Sequence, residues 1–132
     1  MVYSAAMNTQ TDRMLVGNSF PFSLIRGRQV VCEELAVETL REALSARGVS
    51  SFWGHENPRA VAESILAVNL RPVRPRPVLS LDGDSLPVLD GMSYSEAYVL
   101  SPDYVENFRP AVGEEVAADA IRSWHALRLR WL

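Results

Sequence analysis

The spacing of apolar residues changes several times along this chain, and each change predicts a secondary-structure element. Residues 13–20 contain a short apolar run that stops at Gly17, and they predict a first strand. Residues 29–33 predict a second strand. Residues 36–47 carry apolar side chains at helical spacing, and this predicts a helix that ends at Gly48, a residue that tolerates the left-handed backbone of a helix end.

The second half of the chain combines a helix start with several turn signals. Asn57 followed by Pro58 is typical of a helix N-terminus, and the apolar spacing that follows predicts a second helix to about residue 68. The pairs Asp82-Gly83 and Asp90-Gly91 predict tight turns between short strands. The remaining predicted elements are strands over 78–81, 86–89 and 97–100, a short helix over 116–124 and a strand over 125–132. In this last strand apolar residues alternate with Arg128 and Arg130, which predicts one face that is polar or meets a ligand.

This order of elements predicts an α+β fold. We expect a single domain over residues 13–132, with a mixed β-sheet on which two main helices and a short C-terminal helix pack. Residues 1–12 show no periodicity and are expected to form a flexible tail. The loop over residues 21–28 is unusually apolar and should pack against something, such as a second subunit. Its apolar residues include Phe22, Leu24 and Ile25.

The composition restricts the classes of function. The formal net charge is −3, so the chain lacks the general basic field that binds duplex DNA. All 13 basic residues are arginine, and a local arginine cluster can still hold phosphate. The single cysteine, Cys32, excludes an internal disulfide and is expected to be a small buried hydrophobe. With two histidines and no paired ligand motif, neither a metal nor a cofactor is predicted.

The sequence offers no membrane signal. No apolar run approaches the roughly 18 residues that a membrane-spanning helix needs. The first residues lack a basic segment followed by an apolar one, which a signal peptide would have. We therefore expect a cytoplasmic protein without a membrane partner.

His55 is the first candidate for chemistry. It lies two residues before the helix start at Asn57, and a helix N-terminus presents unpaired N–H groups and a partial positive charge. An imidazole there is well placed to meet an anion. The simpler interpretation is a histidine that caps or packs against the helix. Asp82 and Asp84, in contrast, are explained by their predicted turn.

Several polar residues together resemble the parts of a phosphodiester pocket. They are the strand end at Asn18 and Ser19, His55, and the separated arginines Arg76 and Arg109. A histidine can protonate a leaving oxygen near neutral pH, and arginines can hold the phosphate. If the substrate is RNA, its own 2′-hydroxyl can attack, so no metal is required. The alternative for each arginine is ordinary surface charge, and for the Arg-Pro segment 71–77 a rigid connector.

Two short motifs resemble those of the viral anti-CRISPR ring nucleases and their cellular and phage relatives. Asn18-Ser19-Phe20 is similar to that family's strand end Asn-(Ala/Ser)-Phe, and Gly54-His55-Glu56 is similar to its Gly-His-(Glu/Asp)-x-Thr motif. The resemblance implies a small homodimeric α+β domain. It also implies that the dimer interface binds a cyclic oligoadenylate, a second messenger of type III CRISPR defence, and cleaves it without a metal.

The resemblance also implies roles for individual residues. His55 would be the general acid, and Arg109 a second catalytic residue. The ligand-binding residues would be Asn18, Ser19, Phe20, Gly54, Asn57 and Arg76. Pro58 stands where the family has threonine, and residues 82–92 resemble an added hairpin. These departures leave open an alternative, a non-catalytic nucleotide-binding or protein-interaction module.

Overall fold

A computed structural model describes residues 13–53, 57–70, 78–104 and 121–132 of the chain. The tail predicted over residues 1–12 lies outside these ranges. Within them the chain forms a mixed α+β domain with two helices, as the order of elements predicted. The elements are β1 (Met14–Gly17), β2 (Val30–Leu35), α1 (Val37–Arg47), β3 (Val49–Ser51), α2 (Asn57–Leu66), β4 (Ser80–Leu81), β5 (Pro87–Leu89), β6 (Met92–Ser93), β7 (Glu96–Tyr104) and β8 (Ile121–Trp131).

The main sheet has five strands in the order β2-β8-β7-β1-β3. Its centre is the long antiparallel pair β7–β8, which runs from Glu96 opposite Arg130 to Tyr104 opposite Ile121. β1 is parallel to both of its neighbours, β7 and β3, whereas β2 is antiparallel to β8. Strands β4, β5 and β6 form a separate antiparallel meander.

Each face of the main sheet has its own hydrophobic core. On one face the two helices cover the sheet, and the meander packs against the other. The helix-side core includes Met14, Val16, Leu40, Leu44, Trp53, Ala62, Leu66, Leu70, Tyr98, Leu100 and Ala126. The meander-side core includes Leu15, Phe20, Phe52, Leu86, Leu89, Tyr94, Ala97, Val99, Leu129 and Trp131. Because side chains alternate along a strand, consecutive residues of β1 serve both cores.

Both helices are followed by a residue with positive φ. Helix α1 buries Leu40 and Leu44, and its last turn closes on Gly48 at φ 83°, whose N–H donates to the carbonyl of Leu44 at 2.9 Å. After α2, Ala67 adopts the left-handed backbone conformation with φ 57°. The carboxylate of Glu63 accepts the Leu70 N–H at 2.7 Å, and this holds the chain that leaves α2.

The two turns predicted in the meander are present. The carboxylate of Asp82 accepts the N–H groups of Asp84 and Leu86 and the hydroxyl of Ser93, at 2.6 to 3.0 Å. Asp90 and Gly91 have φ 53° and 81°, the positive values that a two-residue hairpin with the twist of a sheet requires.

Two predictions about local structure were wrong. Residues 121–124 belong to β8 and not to the predicted helix over 116–124, because the ladder with β7 extends that far; residues 116–120 lie outside the described ranges. Cys32 is exposed and not buried, since its strand, β2, lies at the edge of the main sheet and has a neighbouring strand on one side only. Part of the predicted loop 21–28 forms a 3₁₀ turn, Phe22–Leu24, and strands β3 and β6 were not predicted.

The helices of the described residues are too short to cross a membrane, and none has the required run of apolar side chains.

Candidate functional site

The two motifs of the sequence follow neighbouring parallel strands. β1 ends at Gly17, directly before Asn18-Ser19-Phe20, and β3 beside it ends at Ser51. Parallel neighbours finish at the same edge of a sheet, and ligands of open α/β sheets bind at such carboxyl edges. Helix α2 begins at Asn57, so the Gly54-His55-Glu56 motif falls in the connection between β3 and this helix.

An aromatic contact joins the two segments at this edge. The rings of Phe20 and Phe52 meet edge to face, with centroids 6.1 Å apart and planes at 90°. The N–H of Phe52 donates to the carbonyl of Val16 at 2.8 Å, and the Trp53 N–H donates to the hydroxyl of Ser51 at 3.1 Å. The chain is therefore held in place up to Trp53, the residue directly before Gly54.

The residues of the first motif differ in their exposure. Ser19 is exposed, and Asn18 is half-buried and accepts a hydrogen bond on its backbone carbonyl from the hydroxyl of Ser101 at 3.4 Å. Phe20 is only 9% exposed, because its ring packs on Phe52 and on Trp131 at 5.2 Å. Its position explains a packing role, and contact with a ligand stays a prediction.

Four of the predicted site residues lie outside the described ranges: Gly54, His55, Arg76 and Arg109. Asn57 begins α2, although its side chain is not among those described. The convergence of these residues with Asn18 and Ser19 therefore stays a prediction from the sequence. The Arg-Pro connector over residues 71–77 also lies outside the described part of the chain.

A second histidine, outside both sequence motifs, lies near this edge. His125 of β8 approaches Asp103 of β7 with 3.1 Å between its Nδ1 atom and a carboxylate oxygen. The other carboxylate oxygen of Asp103 accepts the hydroxyl of Ser123 at 3.1 Å. Partial desolvation raises the pKa of Asp103. The hydrogen bonds from His125 and Ser123 and the nearby positive charges together outweigh it, so the pKa of Asp103 is lowered overall. Asp103 is thus held as a carboxylate.

A polar cavity of about 170 Å³ lies at the opposite edge of the sheet, where β1 and β7 begin. Arg13 and Arg47 line it together with Glu96 and Tyr98. The Tyr98 hydroxyl donates to the Glu96 carboxylate, and burial together with this carboxylate raises the pKa of Tyr98 to about 12. The C-terminus of α1 opens onto this region, and the negative end of its dipole disfavours an anion.

The alternating arginines of β8 also have partners in the structure. Arg128 and Arg130 donate to one carboxylate oxygen of Glu33 on the neighbouring strand β2, at 2.7 and 3.2 Å. Their spacing correctly predicted a polar face for this strand, and the ion pairs give that face a structural explanation. Within the described ranges, no cluster of three or more His, Cys, Asp or Glu side chains has a metal-binding arrangement.

Comparison with known proteins supports the fold alone. No protein-family model and no curated protein matches the sequence. Among solved structures, the chain is similar to B116 of Sulfolobus turreted icosahedral virus, with a TM-score of 0.54 and 12% sequence identity. The match covers 89% of this chain and 98% of B116. At this identity the likeness shows a shared α+β architecture across most of both proteins.

Proposed function

We propose that this protein binds a cyclic oligoadenylate at a homodimer interface and cleaves it without a metal ion. The observation that carries the proposal is the contact between Phe20 and Phe52 at the carboxyl edge of β1 and β3. It brings together the segment that bears Asn18 and Ser19 and the segment, up to Trp53, that leads into the Gly-His motif. This supports the proposal that the two motifs which resemble the ring nucleases act at one edge of the sheet.

The chemistry of this edge suits a phosphodiester. Ser19 is an exposed and Asn18 a half-buried polar residue at this edge. The ten-residue helix α2 begins four residues after Trp53, so its positive N-terminal end would be within reach of the same region. His55 would protonate the leaving 5′-oxygen as the 2′-hydroxyl attacks phosphorus, which gives linear products with cyclic-phosphate ends. Arg76 and Arg109 would hold the phosphate.

A homodimer suits a cyclic ligand. A ring of identical nucleotides has rotational symmetry, so two identical subunits can each present the same half-site to it. The ring of Phe22, three residues after Ser19, is 85% exposed and supplies apolar surface that a second subunit would cover.

The structural likeness to a viral protein agrees with this proposal. B116 comes from a virus, and a protein that antagonises type III CRISPR signalling benefits a virus.

The decisive experiment is incubation of the protein with cyclic tri-, tetra- and hexa-adenylate and cyclic dinucleotides in the presence of EDTA, followed by chromatography. We expect linear products from the wild type and none from His55→Ala. Arg41→Gln, a change at an exposed arginine of helix α1 outside both motifs, is the matched control and should cleave as the wild type does. If no ring is cut or retained by the wild type, the proposal is wrong.

Pro58 favours a second candidate, a binding protein that sequesters the nucleotide without cutting it. A threonine at this position would supply a hydroxyl and a backbone donor, and proline supplies neither. In that case an intact ring would co-elute with the wild type, and His55→Ala would retain it equally well.

A further inference from the structure

His125 and Asp103 form a carboxylate–imidazole dyad on the meander-side face of the sheet. Their contact joins Nδ1 of the ring to the carboxylate at 3.1 Å, and the His125 side chain keeps 32% of its surface exposed. A carboxylate on Nδ1 fixes the tautomer of a neutral histidine, so the proton lies on Nδ1 and Nε2 is free to accept another. This is the arrangement by which enzymes prepare an imidazole as a general base.

The dyad lies close to the strand end that the proposed function uses. His125 is directly opposite Ser101 in the β7–β8 ladder, and the Ser101 hydroxyl donates to the Asn18 carbonyl at 3.4 Å. Asn18 directly after β1, Ser101 of β7 and His125 of β8 thus form a row at the carboxyl end of β1. Two strand spacings separate β8 from β1, or about 10 Å. One nucleotide bound at Asn18 is within reach of the imidazole.

The other charged groups near the dyad are few among the described residues. Asp103 faces His125 from β7, and Arg122 of β8 acts electrostatically on Asp103. On β2, Glu34 pairs with Leu127 and so shares this face two residues further along. The carboxylate of Asp103 already accepts the hydroxyl of Ser123, which leaves its second oxygen to hold the imidazole.

We infer that His125, oriented by Asp103, is the general base of the proposed reaction. This inference rests on the proposed function and assigns the one proton transfer that it leaves open. Nε2 of His125 takes the proton from the ribose 2′-hydroxyl, the 2′-oxygen forms a bond to phosphorus, and the bond from phosphorus to the 5′-oxygen breaks. The leaving 5′-oxygen takes a proton from the general acid. The products are a 2′,3′-cyclic phosphate and a free 5′-hydroxyl, and no further reactant is needed.

The test is a pH–rate profile of ring cleavage, from pH 5 to 9 in EDTA, for the wild type and three variants. His125→Ala removes the base, Asp103→Asn removes the orienting charge, and Glu34→Gln removes a carboxylate from the same face as a control. General bases contribute on the order of 10²–10⁴ in rate, so His125→Ala should lose at least about 100-fold. Its profile should also lose the rise in rate that follows deprotonation of the base.

Added imidazole separates a chemical role from a structural one. Imidazole in solution should restore part of the activity of His125→Ala, whereas it cannot repair a folding defect. Asp103→Asn should lose about 10-fold or more and keep its ligand affinity, and Glu34→Gln should match the wild type.

Cleavage by His125→Ala within twofold of the wild type would overturn the inference and leave the proposed function intact. A slow His125→Ala with an unchanged pH profile and no rescue would also overturn it, since the residue would then be structural. A wild type that cleaves no ring would refute the proposed function and the base assignment together.

Discussion

The ring of Phe52 packs against Gly17 and fills the space that a side chain at position 17 would need. A Cβ placed on this glycine would overlap the Phe52 ring at three carbon atoms. Gly17 is not among the residues with positive φ, so the requirement is for space and not for an unusual backbone. This close approach lets the chain after β3 lie across the end of β1, which joins the two motif-bearing segments.

Gly17→Ala should therefore destabilise the protein. The added methyl group forces the Phe52 ring out of a packed core, and such overpacking costs about 1–3 kcal/mol of unfolding free energy. Urea denaturation measures the loss. Gly83→Ala is a suitable control, because nothing lies within 4 Å of a Cβ at Gly83. Equal stability of the two variants would contradict this account of Gly17.

Ala67→Gly should have the opposite effect. Ala67 adopts φ 57° after helix α2, a conformation that costs most residues energy and that glycine adopts freely. We expect the variant to gain up to about 1 kcal/mol of unfolding free energy. Ala60→Gly, at an exposed position inside the same helix, should lose about 1 kcal/mol. Thermal melting of both variants checks the contrast in sign.

The stabilisation that Asp82 gives to the meander should decrease at acid pH. The hydrogen bond from Ser93 lowers the pKa of Asp82, and those from the Leu86 and Asp84 N–H groups add to the effect, against a desolvation that raises it. A carboxyl whose pKa is lower in the folded state stabilises the protein above its unfolded pKa of about 3.9. This stability is lost as the pH falls through the folded value.

Asp82→Ala removes the shared acceptor of these donors and should cost about 1–3 kcal/mol at pH 7. The difference from the wild type in urea denaturation should shrink between pH 5 and pH 3. Asp84→Asn, which keeps the backbone donor to Asp82, should change stability by less than about 0.5 kcal/mol at either pH. A difference between Asp82→Ala and the wild type that stays constant with pH would show that the carboxylate is not responsible.

Tyr98 should ionise unusually late. Burial, followed by the hydrogen bond to Glu96 and the charge of that carboxylate, raises the pKa of Tyr98 to about 12. A raised folded pKa means that the neutral phenol stabilises the fold fully below pH 10. This stability is lost as the pH rises from 10 toward 12. Alkaline titration by tyrosinate absorbance should show a late step in the wild type that is missing in Tyr98→Phe, and a difference spectrum centred near pH 10 would contradict it.

Local sequence signals predicted the elements that depend on local interactions. The helix expected over residues 36–47 is Val37–Arg47, because its apolar stripe and Gly48 are sufficient to define it. The Asp90-Gly91 turn has the positive φ values that this pair favours. The alternation over residues 125–132 correctly placed Leu129 and Trp131 on the opposite face from the arginines. Side chains alternate along any strand, whichever strand pairs with it.

Pairings between distant segments could not be predicted in the same way. β3 has three residues, too few for any periodicity, and its existence depends on β1. Residues 121–124 looked helical in isolation, but pairing with β7 extends the strand through them. His125 was not a predicted site residue for the same reason. Its partner Asp103 is 22 residues away in the sequence and comes into contact with it only through the ladder between β7 and β8.

The parallel position of β1 between β3 and β7 has a consequence for the order in which the protein can fold. During synthesis the apolar strand β1 leaves the ribosome first, yet Leu15 pairs with Ser50 on one side and with Ala97 on the other. At roughly 5–20 residues per second, β1 waits several seconds for its second partner. Pairing across such long stretches is slow, whereas the β7–β8 ladder joins consecutive strands of the sheet. β1 should therefore take its final place between β3 and β7 only after most of the chain has been made.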